Sequence, residues 1–540
     1  LGFARIIATP VNYAFNVSKV SVIFTIIGFS FIFGLIYINT VRKIGFSRPV
    51  ELVRAEKAAE KPPRANWLAG LFGLLTLGTG YAISLFIEEP LAVLSWFLLA
   101  SVLVIIGTFI TLISGSVLLC KILQKNINYY YKTNHFISVS SMTYRMRRNG
   151  AGLAAICILL TMTLVTLSTT ATMYSSIDFY VDTRFPCDIN ASANKYGYDP
   201  NLNSMGNALT DSIVENAKAE GADIGDLGSY TCYSVKGNYV NGEFKSVSFY
   251  NTDIDNGVQY VFMDINDYNN SFNCNEELGN GEAIVASGDK NDRTDVIKLG
   301  DLSLNVVKRI DDKLDALDPF AFFAAPDTLV YVIVNNNDEI AKEHLSKYES
   351  DGNKSMIRCI WKASFNTGMN DEDQIRLSNE ISEFLDGSRE DNDLMLTNCY
   401  NPIQMRHELI DSLGGLMFLG TLLSIIFLIS SFVIIYYKQI SEGYEDQSRF
   451  SIMQKVGMTK KEIRKSIESQ MLTVFLIPIA FACIHLIVVM PLISKILMLS
   501  GLYNPMRLQI TAGICALICG LIYTLVYKAT SNSYFKIVSA

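Results

Sequence analysis

Long apolar runs alternate with polar connections along the chain, and each run is long enough to cross a bilayer as a helix. A far longer polar stretch separates the fourth run from the fifth. The pattern predicts a polytopic α-helical membrane protein. Seven spans are predicted from it: Val20–Asn39, Trp67–Ile87, Leu91–Leu119, Ala151–Tyr174, Leu413–Ile435, Met471–Met490 and Ile510–Tyr527.

The long polar stretch, residues 175–411, exceeds any ordinary connection and is predicted to be a domain. Alternating or β-branched runs predict strands at Ser229–Val235, Lys245–Tyr250, Val258–Met263, Glu282–Ala286, Leu302–Ile310, Thr328–Val334 and Met356–Trp361. Helical periodicity predicts helices at Asn203–Glu220, Asp338–Tyr348 and Glu372–Leu385. This mixture predicts an α+β domain. Its last stretch, Ile403–Leu413, is expected to run as a helix into the fifth span.

The distribution of charge predicts which side of the membrane each connection faces. Residues 41–66, 120–150 and 438–470 carry seven, six and seven Lys or Arg. Residues 175–411 instead hold 42 of the 52 acidic side chains against 19 of the 45 basic ones, a net charge of about −23. Since positively charged loops remain in the cytoplasm, the three basic connections and the C-terminus are predicted inside and the acidic domain outside.

The third basic connection, residues 438–470, is named here the coupling segment. Its first part, about Gln447–Val456, is predicted to be a short helix with an apolar stripe made of Phe450, Met453 and Val456. Gly457 is predicted to end that helix. Thr459 and Glu462 form a capping box that starts a second helix, which leads into the next span. An amphipathic turn of this kind can receive a push from a cytoplasmic partner, although a loop lying on lipid would show the same pattern.

The amino-acid sequence of this stretch resembles that of a known family. The run YYKQISEGYEDQSRFSIMQKVGMTKKEI, from Tyr436 to Ile463, is followed in the next span by Ile477, Pro478, Ala482 and His485. Both features are similar to the second transmembrane unit of FtsX-type ABC transporter permeases, specifically the bacitracin-export (Bce-type) branch. The resemblance is best over the C-terminal quarter. It implies an FtsX/MacB-like α-helical permease of the bacterial cell membrane, with a large α+β extracytoplasmic domain.

The resemblance also implies a division of the chain. Residues 1–66 would end a first FtsX-type unit, 67–119 would be a two-span hairpin, and 120–174 a cytoplasmic interfacial helix and a span. Residues 175–411 would be the extracytoplasmic domain, and 412–540 a three-span C-terminal FtsX-type unit. The family has more spans than are counted here and the sequence begins with Leu1. We therefore expect it to lack the family's first spans and their own coupling segment.

By this resemblance the chain is the permease subunit of an ATP-driven transporter that senses or removes cell-wall-targeting peptide antibiotics of the bacitracin or lantibiotic type. The implied partners are a separate ABC ATPase dimer, membrane lipid, the peptide or its lipid complex, and a sensor histidine kinase, with no nucleic acid. The chain itself would hold no cofactor, because the ATPase binds ATP and magnesium. Closure of that dimer would push on the coupling segment, a mechanism called mechanotransmission. The implied docking residues are Arg449, Phe450, Met453, Gln454, Lys455, Val456, Gly457 and Met458.

The residues themselves argue against other energy sources and against catalysis. His485 is the one Asp, Glu, Lys, Arg or His within the predicted spans, whereas ion-driven transporters use such groups at membrane depth. A packed or hydrogen-bonded histidine is the simpler interpretation. No G-x-x-x-x-G-K-[ST] loop occurs, so the chain is predicted not to bind ATP. The acidic run Asp311–Asp318 lies beside no recognisable nucleophile motif, and neither a hydrolase nor a metal site is expected.

Two alternatives stay open from the sequence. One is an FtsX-like signalling scaffold that regulates a cell-wall hydrolase or a sensor kinase without transport. The other is a lipoprotein-release or macrolide-export permease. The additional two-span hairpin, residues 67–119, and the sequence of the coupling segment favour the Bce-type branch over both alternatives. One or two disulfides among the five cysteines outside the spans also stay open: Cys187, Cys232, Cys274, Cys359 and Cys399.

Overall fold

A computed structural model gives the fold of the chain. It describes residues 18–45, 67–87, 90–125, 133–240, 243–249, 257–272, 274–287, 294–310, 329–349, 356–455, 457, 459–499, 502 and 505–539. The chain divides into two compact units. The first contains Leu1–Thr170, Leu416–Ile493 and Leu508–Ala540, and the second contains Ala171–Gly415 and Ser494–Arg507.

The helices are α1 (Lys19–Gly45), α2 (Trp67–Phe86), α3 (Pro90–Ile110), α4 (Ser116–Lys125), α5 (Thr133–Ser175), α6 (Ile177–Arg184), α7 (Leu202–Ala219), α8 (Ile265–Phe272), α9 (Asn337–Ile340), α10 (Asp371–Gly387), α11 (Pro402–Lys455), α12 (Lys460–Leu499) and α13 (Pro505–Ser539). A π-helical turn, Thr111–Gly115, joins α3 to α4. A second π-helical turn, Ala341–Leu345, and a 3-10 turn, Ser346–Tyr348, extend α9. Seven helical stretches within the described residues are long and apolar enough to cross a membrane, which confirms the predicted number of spans.

Two predicted helix boundaries were wrong, because helices expected to be separate are continuous. The interfacial helix expected before the fourth span belongs to α5, which runs unbroken through that span. The short helix expected at Gln447–Val456 is the end of α11, a single helix of 54 residues. The same helix includes Ile403–Leu413, as predicted. The acidic run Asp311–Asp318 lies outside the described residues.

The second unit is built on a ten-stranded mixed sheet. Its strands are β1 (Ile189–Tyr196), β2 (Gly225–Val240), β3 (Glu243–Ser246), β4 (Val258–Asp264), β5 (Glu282–Ser287), β6 (Val296–Leu299), β7 (Leu302–Arg309), β8 (Leu329–Val334), β9 (Ile357–Asn366) and β10 (Leu396–Tyr400). They lie in the order β10-β1-β9-β2-β4-β8-β5-β7-β6, with β3 paired to β2. Most pairs are antiparallel, but β4 pairs with β8 and β5 with β7 in parallel. The predicted α+β class is confirmed.

Helices cover parts of both faces of this sheet. On one face, α7 and α10 bury apolar residues against Trp361, Ala363 and Phe365 of β9. On the other face, Ile265 and Tyr268 of α8 pack against the central strands. The five cysteines of this unit are free thiols, so no disulfide contributes to it. Apolar side chains buried on both faces of the sheet provide its stability.

Charged and aromatic side chains join three segments at one end of the second unit, here called the base cluster. Arg406 of α11 donates hydrogen bonds to Asp178 (2.9 Å) and Asp182 (3.0 Å) of α6. Arg507, just before the last span, donates to the Ser175 carbonyl, and its guanidinium lies 5.3 Å from the centre of the Phe179 ring. Beneath these contacts lies an apolar core built from Ile177, Val181 and Phe185 of the α6 region and Met405, Leu409 and Leu413 of α11. The chain enters and leaves the domain through one packed pair of helices.

The contact between α7 and β9 gives a test of the packing of this domain. A Cβ atom on Gly206 of α7 would lie 2.7 Å from the Trp361 ring and 2.9 Å from Thr231, both of which are buried. We expect Gly206→Ala to destabilise the domain by about 1–3 kcal/mol through overpacking, even though alanine favours helix formation. Thermal unfolding of the full-length protein, followed by tryptophan fluorescence, measures this effect. Gly387→Ala is the matched control, because a Cβ there meets nothing within 4 Å. Equal unfolding temperatures for the two variants would contradict the packing argument.

Candidate functional site

The coupling segment begins on the last part of α11, whose buried face is largely polar. Gln439, Glu442 and Asp446 are buried there, followed by Phe450, which is 4% exposed. These positions are three or four residues apart and therefore share one face of the helix. Helix α11 continues through this buried polar stripe without a break, so no separate helix starts at Gln447.

Phe450 and Asp446 fix this part of α11 to α13. The Tyr534 hydroxyl of α13 donates a hydrogen bond of 2.6 Å to the Asp446 carboxylate, and both side chains are buried. Phe450 belongs to a buried cluster with Tyr534 and Val538 of the same helix. A charge-assisted hydrogen bond next to an apolar contact gives this joint both direction and stability.

A turn at Gly457 ends α11, as the sequence predicts. Gly457 has a φ of 108°, which an L-residue rarely adopts, and its N–H donates to the Gln454 carbonyl at 3.0 Å. The predicted capping box is also present. The Thr459 hydroxyl and backbone N–H donate to the Glu462 carboxylate at 2.7 and 2.9 Å, and the Glu462 N–H donates to the Thr459 hydroxyl at 3.4 Å. These reciprocal bonds satisfy N–H groups that would otherwise be unpaired at the start of α12.

The first turns of α12 return to the same core. Ile463, Ile467 and Met471 are buried at four-residue steps and join the cluster that contains Phe450. On the outside, Arg464 forms an ion pair of 2.9 Å with Glu468 and lies 5.4 Å from the centre of the Phe535 ring. The ends of α11, α12 and α13 are therefore packed together around the coupling segment.

The predicted docking residues differ in accessibility. Phe450 is buried within this core, Met453 and Gln454 are half-buried, and Lys455 and Gly457 are exposed. Val456, Met458 and the side chain of Arg449 lie outside what the structure describes. No observation on this chain tests ATPase docking at these residues, so that role stays a prediction. The burial of Phe450 does show that its side chain packs inside the protein.

Sequence reasoning missed an exposed face on the same helix. Tyr444, Ser448 and Ile452 lie four residues apart and share one side of α11. Tyr444 is 65% exposed and Ile452 is 61% exposed. Large apolar side chains exposed in a segment predicted to face the cytoplasm are candidates for contact with another protein. The four-residue spacing of Tyr444, Ser448 and Ile452 in the sequence could have indicated that they share a helix face.

Comparisons with known proteins agree with this architecture. Residues 421–535 match the family described as FtsX-like permease C-terminal. ABC transporter permease protein YxdM of Bacillus subtilis (strain 168) is 22% identical over 481 residues, which cover 85% of this chain and 68% of that protein. Bacitracin export permease protein BceB of the same organism is 22% identical over 504 residues, which cover 89% of this chain and 71% of that protein. A BceB of Halalkalibacterium halodurans is 30% identical over 86 residues, covering 16% of this chain and 13% of that protein.

These findings define the class of the protein. An FtsX-like C-terminal domain, seven membrane-span candidates and relatives that are ABC permeases identify a multi-pass permease of the cell membrane. Residues 421–535 match an FtsX-like permease C-terminal domain, and the chain as a whole is similar to ABC transporter permeases, including a bacitracin export permease. Subunits of this class are not themselves catalytic, and they imply an ABC ATPase as partner.

The bond between Tyr534 and Asp446 predicts a local effect of mutation. Tyr534→Phe removes one donor from a buried carboxylate, which should cost about 1–3 kcal/mol of local stability. The end of α11 should then open more often, and trypsin should cleave faster at Lys455 and the lysines that follow it. Limited proteolysis of the full-length protein in detergent measures the rate. Tyr444→Phe, at an exposed position of α11, is the matched control and should cleave like the wild type. Unchanged cleavage in Tyr534→Phe would refute the role of this bond.

Proposed function

We propose that the chain is the membrane subunit of a transporter that removes or senses cell-wall-targeting peptide antibiotics, driven by a separate ATPase through mechanotransmission. One observation carries the mechanical part of the proposal. The first part of the coupling segment, the fifth span and the segment that leaves the external domain all belong to one helix of 54 residues, α11. A displacement applied near Lys455 can therefore act along a continuous helix.

The base cluster supports the proposed transmission of movement at the point where α11 leaves the external domain. Arg406 holds α11 against α6 through two carboxylates, above an apolar core that both helices share. Exposed ion pairs contribute little stability by themselves. The apolar core therefore supplies the attachment, while the paired contacts of one guanidinium fix the orientation of the two helices. Movement of α11 would reach the domain through this joint.

The charge of the external domain supports a cationic substrate. A net charge of about −23 over residues 175–411 would attract cationic peptides and accelerate their encounter with the protein. The name of the relative BceB states export of bacitracin for that protein. We extend the class of substrate, a cell-wall-directed peptide or its lipid complex, to this chain as a proposal.

The first test is ATP hydrolysis by the full-length protein, reconstituted in lipid with its ATPase, with and without bacitracin or a lantibiotic. We expect nanomolar to micromolar peptide to change the rate of hydrolysis. Raised ionic strength should weaken the response to a cationic peptide, because salt screens the attraction of the domain. A well-formed complex that responds to no cell-wall peptide would contradict the proposal and favour the signalling scaffold.

The exposed face of α11 predicts where the ATPase docks. Ile452→Glu places a charge on an exposed apolar contact position, so recovery of the ATPase by co-purification should fall about tenfold or more. The fold of the permease should survive, because Ile452 is 61% exposed. Phe450→Asp is a poorer test, since it also puts a charge into the permease's own core.

Two controls accompany this variant. Ile452→Leu keeps the apolar contact and should retain the ATPase. Val307→Glu places the same charge at a position of the external domain that is 53% exposed, and it should also retain the ATPase. Full recovery of the ATPase with Ile452→Glu would show that docking does not use this face.

A further inference from the structure

His485 is the ionisable side chain that the sequence places within a span, and the structure buries it in α12 at 3% exposure. Among the described residues its ring has two hydrogen-bonding partners. The Tyr81 hydroxyl of α2 lies 2.6 Å from Nδ1, and the Thr108 hydroxyl of α3 lies 3.1 Å from Nε2. Both helices of the two-span hairpin therefore contact the same imidazole.

Counting donors and acceptors assigns the protons of the ring. The Thr108 hydroxyl donates its one hydrogen to the Val104 carbonyl at 2.6 Å. With that hydrogen used, the Thr108 hydroxyl accepts from His485, and this arrangement assigns a hydrogen to Nε2. Nδ1 is then the acceptor for the Tyr81 hydroxyl. Every polar atom of the triad is satisfied with a neutral histidine. A second proton on Nδ1 would turn Tyr81 into an acceptor and leave its own hydrogen without this partner.

The surroundings of the triad are closely packed. Gly80 of α2 brings the backbone so near to α3 that a Cβ atom would lie 2.8 Å from the Val104 side chain. Gly107 of α3 lies equally close to Leu77. Three residues along α2 from Tyr81, the Ser84 hydroxyl donates to the Val488 carbonyl of α12 at 2.7 Å. The hairpin helices are thus tightly packed against each other, and both α2 and α3 are hydrogen-bonded to α12.

We propose that His485 is a positioning residue: as a neutral histidine with its proton on Nε2, it fastens the two-span hairpin to α12, so that hairpin and helix move together. Helix α12 starts at the capping box of the coupling segment. The hairpin also packs against α5, where Leu112 and Ala154 share a buried cluster. The hairpin is therefore a second route by which a displacement of α12 reaches α5, in addition to direct contact between the spans.

Asparagine and glutamine separate the two bonds of the ring. His485→Asn places an acceptor near the site of Nδ1 and keeps the link to Tyr81. His485→Gln places an amide nitrogen near the site of Nε2 and keeps the link to Thr108. Under the proposal, adding Tyr81→Phe to His485→Gln does not lower the stability further, because that variant has already lost the bond to Tyr81. Likewise, adding Thr108→Val to His485→Asn does not lower it further. Adding Tyr81→Phe to His485→Asn, or Thr108→Val to His485→Gln, should lower the stability further, because the remaining bond is then lost.

The stability test uses the full-length protein in detergent and needs no ATPase. The readout is the half-life of the monodisperse protein on heating. Tyr81→Phe and Thr108→Val should each shorten it about fivefold in the wild-type background, the effect of one hydrogen bond. Thr79→Val is the matched control, because the Thr79 hydroxyl bonds to the carbonyl of Leu75 on its own helix. Additive effects in all four double variants would overturn the proposal.

The activity test rests on the proposed function and separates positioning from proton coupling. Peptide-responsive ATP hydrolysis should fall in His485→Leu and recover in part in His485→Gln, while hydrolysis without peptide stays unchanged. The pH profile from about pH 6 to about pH 8 should be the same in His485→Gln and the wild type, since the proposed link involves no change of protonation. A profile that flattens in His485→Gln would overturn the positioning role. If peptide has no effect on any variant while the stability pattern holds, the proposed function fails and the link to the hairpin stands.

Discussion

Backbone hydrogen bonding in lipid is the constraint on which this architecture depends. A chain inside the bilayer must pair its own N–H and C=O groups, so a spanning helix continues until the sequence provides an end. Helix α11 meets no such signal between Pro402 and Lys455, and it stops where Gly457 adopts a positive φ. The capping box at Thr459 then restarts the chain as α12. The position of these two signals places a compact turn at the end of two long helices, where a partner can act on both.

Polar contacts between helices supply the specificity that lipid-facing apolar surfaces cannot. Lipid gives little hydrophobic driving force for helix association, so packing and interhelical hydrogen bonds decide which helices meet. Within the spans of the first unit such bonds join the His485 ring to two hydroxyls, and Thr163 to the Ser424 carbonyl at 3.4 Å. Each bond of this kind is worth about 1 kcal/mol. Such joints can position helices and still exchange partners during a transport cycle.

The sequence predicts local features well and long-range partners poorly. Apolar runs and capping residues act over a few positions, and they correctly indicated the seven spans, the stop at Gly457 and most strands of the external domain. Strand β1 was missed because its residues, INASANKY, lack the expected alternation although most are buried. The helical path through residues 436–446 was missed because its buried face is polar. Tyr534 is 88 residues from Asp446, and Tyr81 is 404 residues from His485, so no local pattern could pair them.

The burial of Phe450 changes how the coupling segment should be understood. Phe450 packs against α12 and α13, so the exposed surface of this part of α11 is formed by other residues. Under the proposed function, contact with a partner and attachment to the neighbouring helices are divided between opposite sides of α11. The exposed side, with Tyr444 and Ile452, is available for contact, and the buried side, with Asp446 and Phe450, attaches α11 to its neighbours. Because close-packed cores yield little under load, a force on the exposed side would displace the ends of all three helices together. Weakening the buried side should then separate the binding of a partner from its mechanical effect, which a purely surface-based view of docking would not predict.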